Sequence, residues 1–305
     1  MVSSPVLSNL GLLRCDLPLR QGQRNLLALL VFTGLCAWSW RPLLNLFTLA
    51  SENEHFSHLL LIPALTFCLL FLNRTAILTS RTWSPLGGLL IMAGGAVCDW
   101  FVDGQAWTQD RLAVAMLAFV VMCWGLFLFS FGVEQVRKNL FALMMLLFMV
   151  PFPAVIQDAT IGFLQRGSAG SVEVLFLVLG FPVIRDGFIF NLSNLSIAVA
   201  EECSGIRSFL AMFITSLVAG YWFLKSWWAR TALVAVVVPL AIIKNAFRII
   251  GLALLANYVD PTYITNSALH RSGGIPLFLL SLVILVGVVW VLRQFERRSA
   301  SVLTH

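Results

Sequence analysis

The chain has 305 residues, of which 59% are hydrophobic and only 11% are charged, and its formal net charge is +6. About a quarter of the residues in an ordinary soluble domain are charged, so this composition excludes such a domain. Runs of about 20 apolar residues recur along the chain, and each is long enough to cross a bilayer as a helix. The sequence therefore predicts an integral membrane protein with one polytopic domain.

Eight apolar segments predict an all-α polytopic fold with about eight transmembrane helices. They cover residues 25–41, 57–72, 85–102, 111–132, 138–156, 205–223, 230–257 and 274–292. Arg41-Pro42 interrupts the first apolar run, and the segment LLNLFTLA beyond it is interpreted as an interfacial turn. The two prolines of MVPFP, residues 149–153, are expected to break or kink the fifth segment at its end.

Lys and Arg residues alternate between the two sides of this arrangement. They concentrate in the first tail, residues 1–24, in the last tail, residues 293–305, and in every second connection. By the positive-inside rule both tails are cytoplasmic, and residues 25–292 form the membrane domain between them. The basic residues thus orient the helices, and no basic stripe with interleaved aromatic residues indicates a nucleic-acid partner.

The fifth connection, residues 157–204, is long and lies outside the membrane in this topology. Its first half is apolar with scattered polar residues, which predicts an interfacial or re-entrant helix. Its second half contains two turn signals, Asp186-Gly187 and Ser193-Asn194, next to segments rich in β-forming residues. We expect a small extracytoplasmic β-hairpin that delivers the chain to Cys203.

Cys203 differs from most of the six cysteines, which lie in or near apolar segments. Its polar neighbours are Glu201, Glu202, Ser204 and Arg207. Gly205 then precedes the sixth apolar segment, so the thiol is expected at the outer end of a helix. A helix N-terminus favours a thiolate and offers backbone N–H groups to an oxyanion. Arg207 would add positive charge, the two glutamates would oppose it, and an inert interfacial thiol is the alternative.

The seventh apolar segment contains three polar residues, Lys244, Asn245 and Arg248, that lie near one face of a helix. Arg248 would lie roughly 14 Å from the outer end of the segment, which predicts that it faces a polar cavity in the bundle. A structural ion pair or a snorkelling side chain is the alternative. His270 precedes the last segment on the same side as Cys203, and cysteine with histidine is a pairing for thiol nucleophilic catalysis.

His55 and His58 are three residues apart near the start of the second apolar segment, a spacing that could serve a metal ion. No third ligand is evident, and the cysteines include no C-x-x-C pair. The sequence therefore predicts that these histidines line the outer face, and it predicts neither a metal nor a cofactor.

These motifs together resemble the exosortase/archaeosortase family over most of the chain. In order, they are FSHLLLIP, MVPFP, VIRDGFIF, AEECSGIRS, NAFRI and a single histidine before the last segment. The resemblance implies a sortase-like cysteine transpeptidase in the inner (plasma) membrane, with its active site outside. Archaeal relatives tend to have arginine where His270 stands, so the resemblance is to the bacterial exosortases.

The resemblance implies that Cys203 is the nucleophile that forms an acyl-thioester, and that Arg248 and His270 are the other catalytic residues. Because an arginine side chain stays protonated, Arg248 is expected to stabilise charge and His270 to transfer the proton. The expected supporting residues are Glu201, Glu202, Ser204, Gly205, Arg207, Asn245 and His58.

The implied substrates are exported proteins with a PEP-CTERM-like C-terminal signal, which consists of a short motif, a transmembrane helix and a basic tail. The implied acceptor is a membrane lipid or a surface polymer. Two alternatives remain open. One is a transporter or flippase that binds an anionic lipid or solute through Lys244 and Arg248, and the other is a membrane acyltransferase that loads Cys203 from a lipid.

Overall fold

A computed structural model describes residues 21–80, 82–102, 108–192, 196–199, 204–259 and 274–302. The chain divides into two compact units, Met1–Ala154 and Val155–His305. Apolar helices make up most of both units, and a small antiparallel sheet belongs to the second.

The first unit contains seven α-helices and two 3-10 helices among its described residues. The α-helices are α1 (Gln21–Trp38), α2 (Trp40–Glu52), α3 (Leu61–Leu72), α4 (Arg74–Leu78), α5 (Pro85–Val102), α6 (Gln109–Lys138) and α7 (Leu140–Met145). The 3-10 helices are Glu54–Leu60 and Leu146–Met149.

The second unit contains four long helices and three short strands among its described residues. Helix α8 (Ala154–Val178) begins at the boundary between the units. The elements after it are β1 (Ile184–Asp186), β2 (Ile189–Asn191), β3 (Ser196–Ala198), α9 (Ile206–Phe223), α10 (Trp227–Tyr258) and α11 (Gly274–Val302).

The all-α polytopic fold that the sequence predicts is confirmed. In the described part of the chain, seven helices are long and apolar enough to cross a membrane, or eight if the bent pair α1 and α2 is one span. The predicted third segment, residues 85–102, coincides with α5. The protein is therefore an integral multi-pass membrane protein.

The segment after the first apolar run is a helix, so its interpretation as an interfacial turn is wrong. Helix α2 has 13 residues and is bent by 68° from α1. Pro42 is the third residue of α2, in the first turn, where a backbone N–H has no acceptor within the helix. The proline is therefore compatible with the start of a helix here. Pro42, Leu46 and Ala50 are buried and four residues apart, which gives α2 one buried face.

The predicted fifth segment, residues 138–156, is not one long helix. It consists of α7, the 3-10 helix Leu146–Met149 and a non-helical stretch containing the two prolines of MVPFP. It nevertheless runs along α6, because Trp124 Nε1 donates a hydrogen bond to the Leu143 carbonyl. At the start of α6, Gln109 Nε2 donates to the Phe152 carbonyl and the Ala154 N–H donates to Asp110 Oδ1, both at 2.8 Å. Part of this segment is a 3-10 helix or non-helical backbone, so it covers more distance per residue than an α-helix does.

Glycines allow α5 and α6 to pack with their backbones in close approach. A Cβ atom built on Gly88 would lie 2.5 Å from the backbone of Phe129, and one on Gly95 would lie 2.7 Å from Met122 Cγ. On α6, a Cβ atom on Gly125 would lie 2.7 Å from the backbone nitrogen of Met92. Small residues at helix interfaces are typical of membrane proteins, where van der Waals packing contributes much of the association.

The predicted β-hairpin is present, and a third strand extends it. Strands β1 and β2 are antiparallel with Asp186 opposite Ile189, and Gly187 in the turn has a φ of 58° that favours glycine. Strand β3 pairs antiparallel with β2. Phe190, Ile197 and Val199 pack on α8 and α10, which places the sheet against both helices. The apolar first half of the fifth connection lies in α8, which has 25 residues.

The glycine packing predicts different effects for two neighbouring substitutions on α5. Gly95→Ala should lower the free energy of unfolding by about 1–3 kcal/mol, because the new methyl group meets Met122 and the Ala118 carbonyl. Gly94→Ala is the matched control, since a Cβ atom there has nothing within 4 Å. Thermal unfolding of both variants in detergent measures the difference. Equal unfolding temperatures would contradict the close α5–α6 packing.

Candidate active site

Helix α10 has a polar face in the middle of an apolar sequence. Lys244 is 7% exposed, Asn245 is 1% exposed and Arg248 is half-buried. Arg248 is four positions after Lys244 and three after Asn245, so all three residues lie on one side of the helix. A buried polar group needs hydrogen-bond partners inside the protein, and those partners determine what packs against α10.

Asn245 contacts both α8 and the start of α9. Its Nδ2 donates a hydrogen bond of 3.0 Å to Oγ of Ser168, which is fully buried on α8. Gly205, the N-cap residue of α9, has a φ of 78°, and a Cβ atom on it would lie 3.1 Å from Cγ of Asn245. Both the backbone conformation and the lack of space therefore favour glycine at this position.

Lys244 contacts the first turn of α9. Its Nζ donates a hydrogen bond to Ser208 Oγ, and Ser208 Oγ donates a hydrogen bond of 2.9 Å to the Gly205 carbonyl. Neither of the two ion pairs found among the described residues involves Lys244. The positive charge of Lys244 is thus held beside the start of α9.

Arg248 lies against the start of α11. A Cβ atom on Gly274, the first residue of α11, would lie 3.7 Å from Nε of Arg248, and that Nε is shielded from solvent. Helix α10 therefore brings together the starts of α9 and α11. In the sequence, Cys203 is two residues before Gly205, and His270 is four residues before Gly274.

The chain is also held on the N-terminal side of Cys203. Gln165 Nε2 on α8 donates a hydrogen bond of 2.6 Å to the Val199 carbonyl, and the Val199 N–H donates one of 2.9 Å to the Phe188 carbonyl. After the cysteine, Ser204 is 2% exposed, and its Oγ has no hydrogen-bond partner within the described ranges. Val199 and Ser204, the described residues on either side of the cysteine, are thus both buried.

The structure brings together only part of the predicted site. Ser204, Gly205, Asn245 and Arg248 lie where α9, α10 and α11 meet. Arg207 is exposed on the first turn of α9, and His58 is in the 3-10 helix of the first unit. Four predicted residues lie outside the described residues, and their contacts stay predictions: Glu201, Glu202, Cys203 and His270.

Three polar residues of this site were missed by sequence reasoning: Gln165, Ser168 and Ser208. Gln165 and Ser168 are three residues apart in an apolar helix, a spacing that places them near one face. That pattern was a usable signal. Ser208 had only a weak signal, its position one helical turn after Ser204, because serine is common at the start of any helix.

The arrangement concentrates positive potential at the start of α9. The first N–H groups of a helix have no acceptor within the helix, and the helix dipole makes that end positive. Lys244 and Arg248 add two cations on the adjacent face of α10. Such a site stabilises a negative charge, which suits a thiolate or the oxyanion of a tetrahedral intermediate.

In comparison with known families, residues 48–287 match the sequence model of the transmembrane exosortase family (Exosortase_EpsH). The match includes every catalytic and supporting residue that the sequence predicts, and it covers most of the chain. Neither the curated proteins nor the solved structures give a match. The family resemblance seen in the motifs is therefore confirmed by the family model.

The conformation of Gly205 generates a prediction about stability. Gly205→Ala should cost about 1–2 kcal/mol for the left-handed backbone conformation, and the contact with Asn245 adds to this cost. Gly251→Ala on α10 is the control, since a Cβ atom there has nothing within 4 Å. Thermal unfolding in detergent compares the two variants. A Gly205→Ala variant as stable as Gly251→Ala would contradict the conformation described for the start of α9.

Proposed function

Because the chain belongs to the transmembrane exosortase family, we propose that it is a membrane-embedded cysteine transpeptidase with Cys203 as its nucleophile. Its substrates are exported proteins that end in a short motif, a transmembrane helix and a basic tail. It cleaves these proteins next to the membrane and transfers them to a lipid or a surface polymer.

The proposed reaction has two steps. Cys203 Sγ attacks the carbonyl carbon of the scissile amide, and the thiol proton passes to His270. The tetrahedral intermediate then collapses, the C–N bond breaks, and His270 returns the proton to the leaving nitrogen. In the second step a nucleophile of the acceptor attacks the thioester carbonyl carbon and gives its proton to His270. The C–S bond then breaks, and His270 returns the proton to the Cys203 thiolate. Arg248 stabilises the oxyanion in both steps, since its guanidinium stays protonated.

One observation carries this proposal: the polar face of α10 contacts the start of α9 through Asn245 and the start of α11 through Arg248. The two segments that precede these helix starts contain Cys203 and His270. Cys203 and His270 are far from Arg248 in the sequence, by 45 and 22 positions. Each is nevertheless only a few residues from a helix start that contacts the polar face of α10. This supports a catalytic group formed by one residue from each of three segments.

We also propose that the reaction takes place on the outer face of the inner membrane. In the second unit, Glu296 of α11 accepts hydrogen bonds from the Lys225 and Ser226 N–H groups between α9 and α10. Five basic residues belong to this end of the unit: Lys225, Arg230, Arg293, Arg297 and Arg298. The starts of α9 and α11 are at the opposite end of their helices, and the positive-inside rule supports an outer location for them.

The first unit supports the same orientation by its own contacts. Gln21 and Arg24 at the start of α1 donate hydrogen bonds to carbonyls of residues 78–82, and Asn73 donates one to Asn139 at the end of α6. The basic residues gathered at this end are Arg24, Arg74, Arg137 and Lys138. The N-terminal tail leaves from the same end, so we propose that it is cytoplasmic.

Replacement of the thiol tests the proposed reaction. Cys203→Ala, co-expressed with an exported protein that carries such a C-terminal signal, should leave this substrate uncleaved, whereas the wild type should form a thioester adduct on Cys203. Cys68→Ala is the control, since this exposed cysteine on α3 belongs to the first unit. Cleavage by Cys203→Ala would refute the thioester mechanism, and a fatty-acyl adduct would indicate the acyltransferase instead.

Replacement of the guanidinium tests the role of Arg248. Arg248→Met should lower the rate of thioester formation about 100-fold, because one charged donor to the oxyanion is lost. Single-turnover cleavage of a purified substrate in detergent measures this rate. A transporter that uses Arg248 but not Cys203 would give a different pattern. Its transport activity would persist in Cys203→Ala and be lost in Arg248→Met.

The proposed orientation predicts which positions a membrane-impermeant thiol reagent reaches in intact cells. Asp186→Cys, at the exposed turn of the hairpin, should be labelled without permeabilisation. Lys225→Cys, in the exposed connection between α9 and α10, should be labelled only after permeabilisation. Peptide mass spectrometry assigns each label, since the chain has six native cysteines. The reverse labelling pattern would refute the orientation.

A further inference from the structure

No step of the reaction proposed above is assigned to Lys244, which lies one helical turn before Arg248. Lys244 is buried, with 7% of its surface exposed, and its described hydrogen bond is to an uncharged hydroxyl. A buried ammonium inside a membrane helix is costly, and such residues usually serve a function. The contact with Ser208 indicates what that function is.

Lys244, Ser208 and Gly205 form a continuous chain of hydrogen bonds, which we call the Lys244 bridge. The ammonium donates to Ser208 Oγ, and Ser208 Oγ donates to the Gly205 carbonyl at 2.9 Å. A hydroxyl that accepts from a cation becomes a stronger donor, because hydrogen bonds in a chain polarise one another. The bridge thus connects α10 to the carbonyl group at the N-cap of α9.

The Gly205 carbonyl determines the geometry at the start of the helix. It shares a planar peptide group with the N–H of Ile206, so orienting the carbonyl also orients that N–H. The other side of Gly205 packs against Asn245. Two adjacent residues of α10, Lys244 and Asn245, therefore hold the turn that directly follows Cys203 from two sides.

A second serine on α9 shows that the helix itself does not require the lysine. Ser216 Oγ donates a hydrogen bond of 2.7 Å to the Phe213 carbonyl, the same spacing as from Ser208 to Gly205. Ser216 is fully buried, and its described hydrogen bond includes no ammonium. The serine-to-carbonyl bond thus forms without a cation at Ser216, whereas at Ser208 the ammonium of Lys244 is added to it.

From this comparison we infer that Lys244 is a positioning residue for the reaction at Cys203. It acts through Ser208 to fix the first turn of α9, which sets the direction of the N–H groups that face the oxyanion. The inference rests on the proposed function, because it concerns the same thiol. It assigns to Lys244 a role separate from the one proposed for Arg248, which is to stabilise the oxyanion directly.

Two substitutions of nearly equal shape isolate the bridge. Ser208→Thr keeps a hydroxyl that can bond to the Gly205 carbonyl, and Ser208→Val replaces that hydroxyl by a methyl group. Ser208→Val should lower kcat for thioester formation about tenfold with KM unchanged, since a hydrogen bond from a charged group is lost. Ser208→Thr should remain near the wild type. Ser216→Val on the same helix is the control for loss of a buried hydroxyl.

A double-mutant cycle tests whether Lys244 acts through Ser208. Lys244→Met should lower kcat about as much as Ser208→Val, and the double variant should be no slower than either single variant. Additive losses would overturn the inference, because they would mean that Lys244 acts independently. If Lys244→Met does not fold, the Ser208→Thr and Ser208→Val pair decides, and equal kcat values in that pair would also overturn it.

The same variants distinguish failure of this inference from failure of the proposed function. If the wild type forms no thioester with any tested substrate, the proposed function fails, and alkylation of Cys203 by N-ethylmaleimide replaces kcat as the readout. Slower alkylation in Ser208→Val and Lys244→Met, with rescue in Ser208→Thr, would still support the bridge. Equal alkylation rates in all four proteins would overturn it.

Discussion

The arrangement of the second unit depends on the polar face of α10. Lys244, Asn245 and Arg248 interrupt an apolar helix, and hydrocarbon cannot satisfy their hydrogen bonds. Their contacts instead come from α8, from the first turn of α9 and from the start of α11. The requirement that makes these residues costly in a membrane thus also selects which helix ends meet. The contacts that satisfy the polar face of α10 are therefore also the contacts that bring the helix starts of the proposed active site together.

The fold could be predicted where hydropathy and turn chemistry agree. Residues 85–102 form α5 as expected, and the Asp186-Gly187 signal marks a real hairpin. The prediction failed where partners at a distance decide the local structure. The residues beyond Arg41-Pro42 form a helix because their apolar face is buried, and residues 138–156 follow α6 although their prolines prevent one continuous helix. Hydropathy averaged over neighbouring residues carries no information about either of these long-range contacts.

The candidate site shows the same division. Charges in an apolar segment identified Arg248, and the glycine after Cys203 proved to have the left-handed conformation of a helix cap. Ser208 could not be identified in this way, because serine is ordinary in membrane helices and gains meaning only from the residue that it contacts. The sequence therefore identifies the charged residues of a membrane site, which are costly to bury. The uncharged polar residues that contact them are identified only from the structure.

The short run between Asn139 and Ala154 depends on a neighbouring helix for its place in the bilayer. A segment with ten helical residues and an extended Pro-Phe-Pro end is a poor candidate for independent insertion by the translocon, since its carbonyls lack partners within the segment. Gln109 and Trp124 supply partners from α6, which is synthesised first. In the folded protein α6 therefore supplies donors that hydrocarbon lacks, and the 140–153 segment is satisfied only as part of a pair with α6.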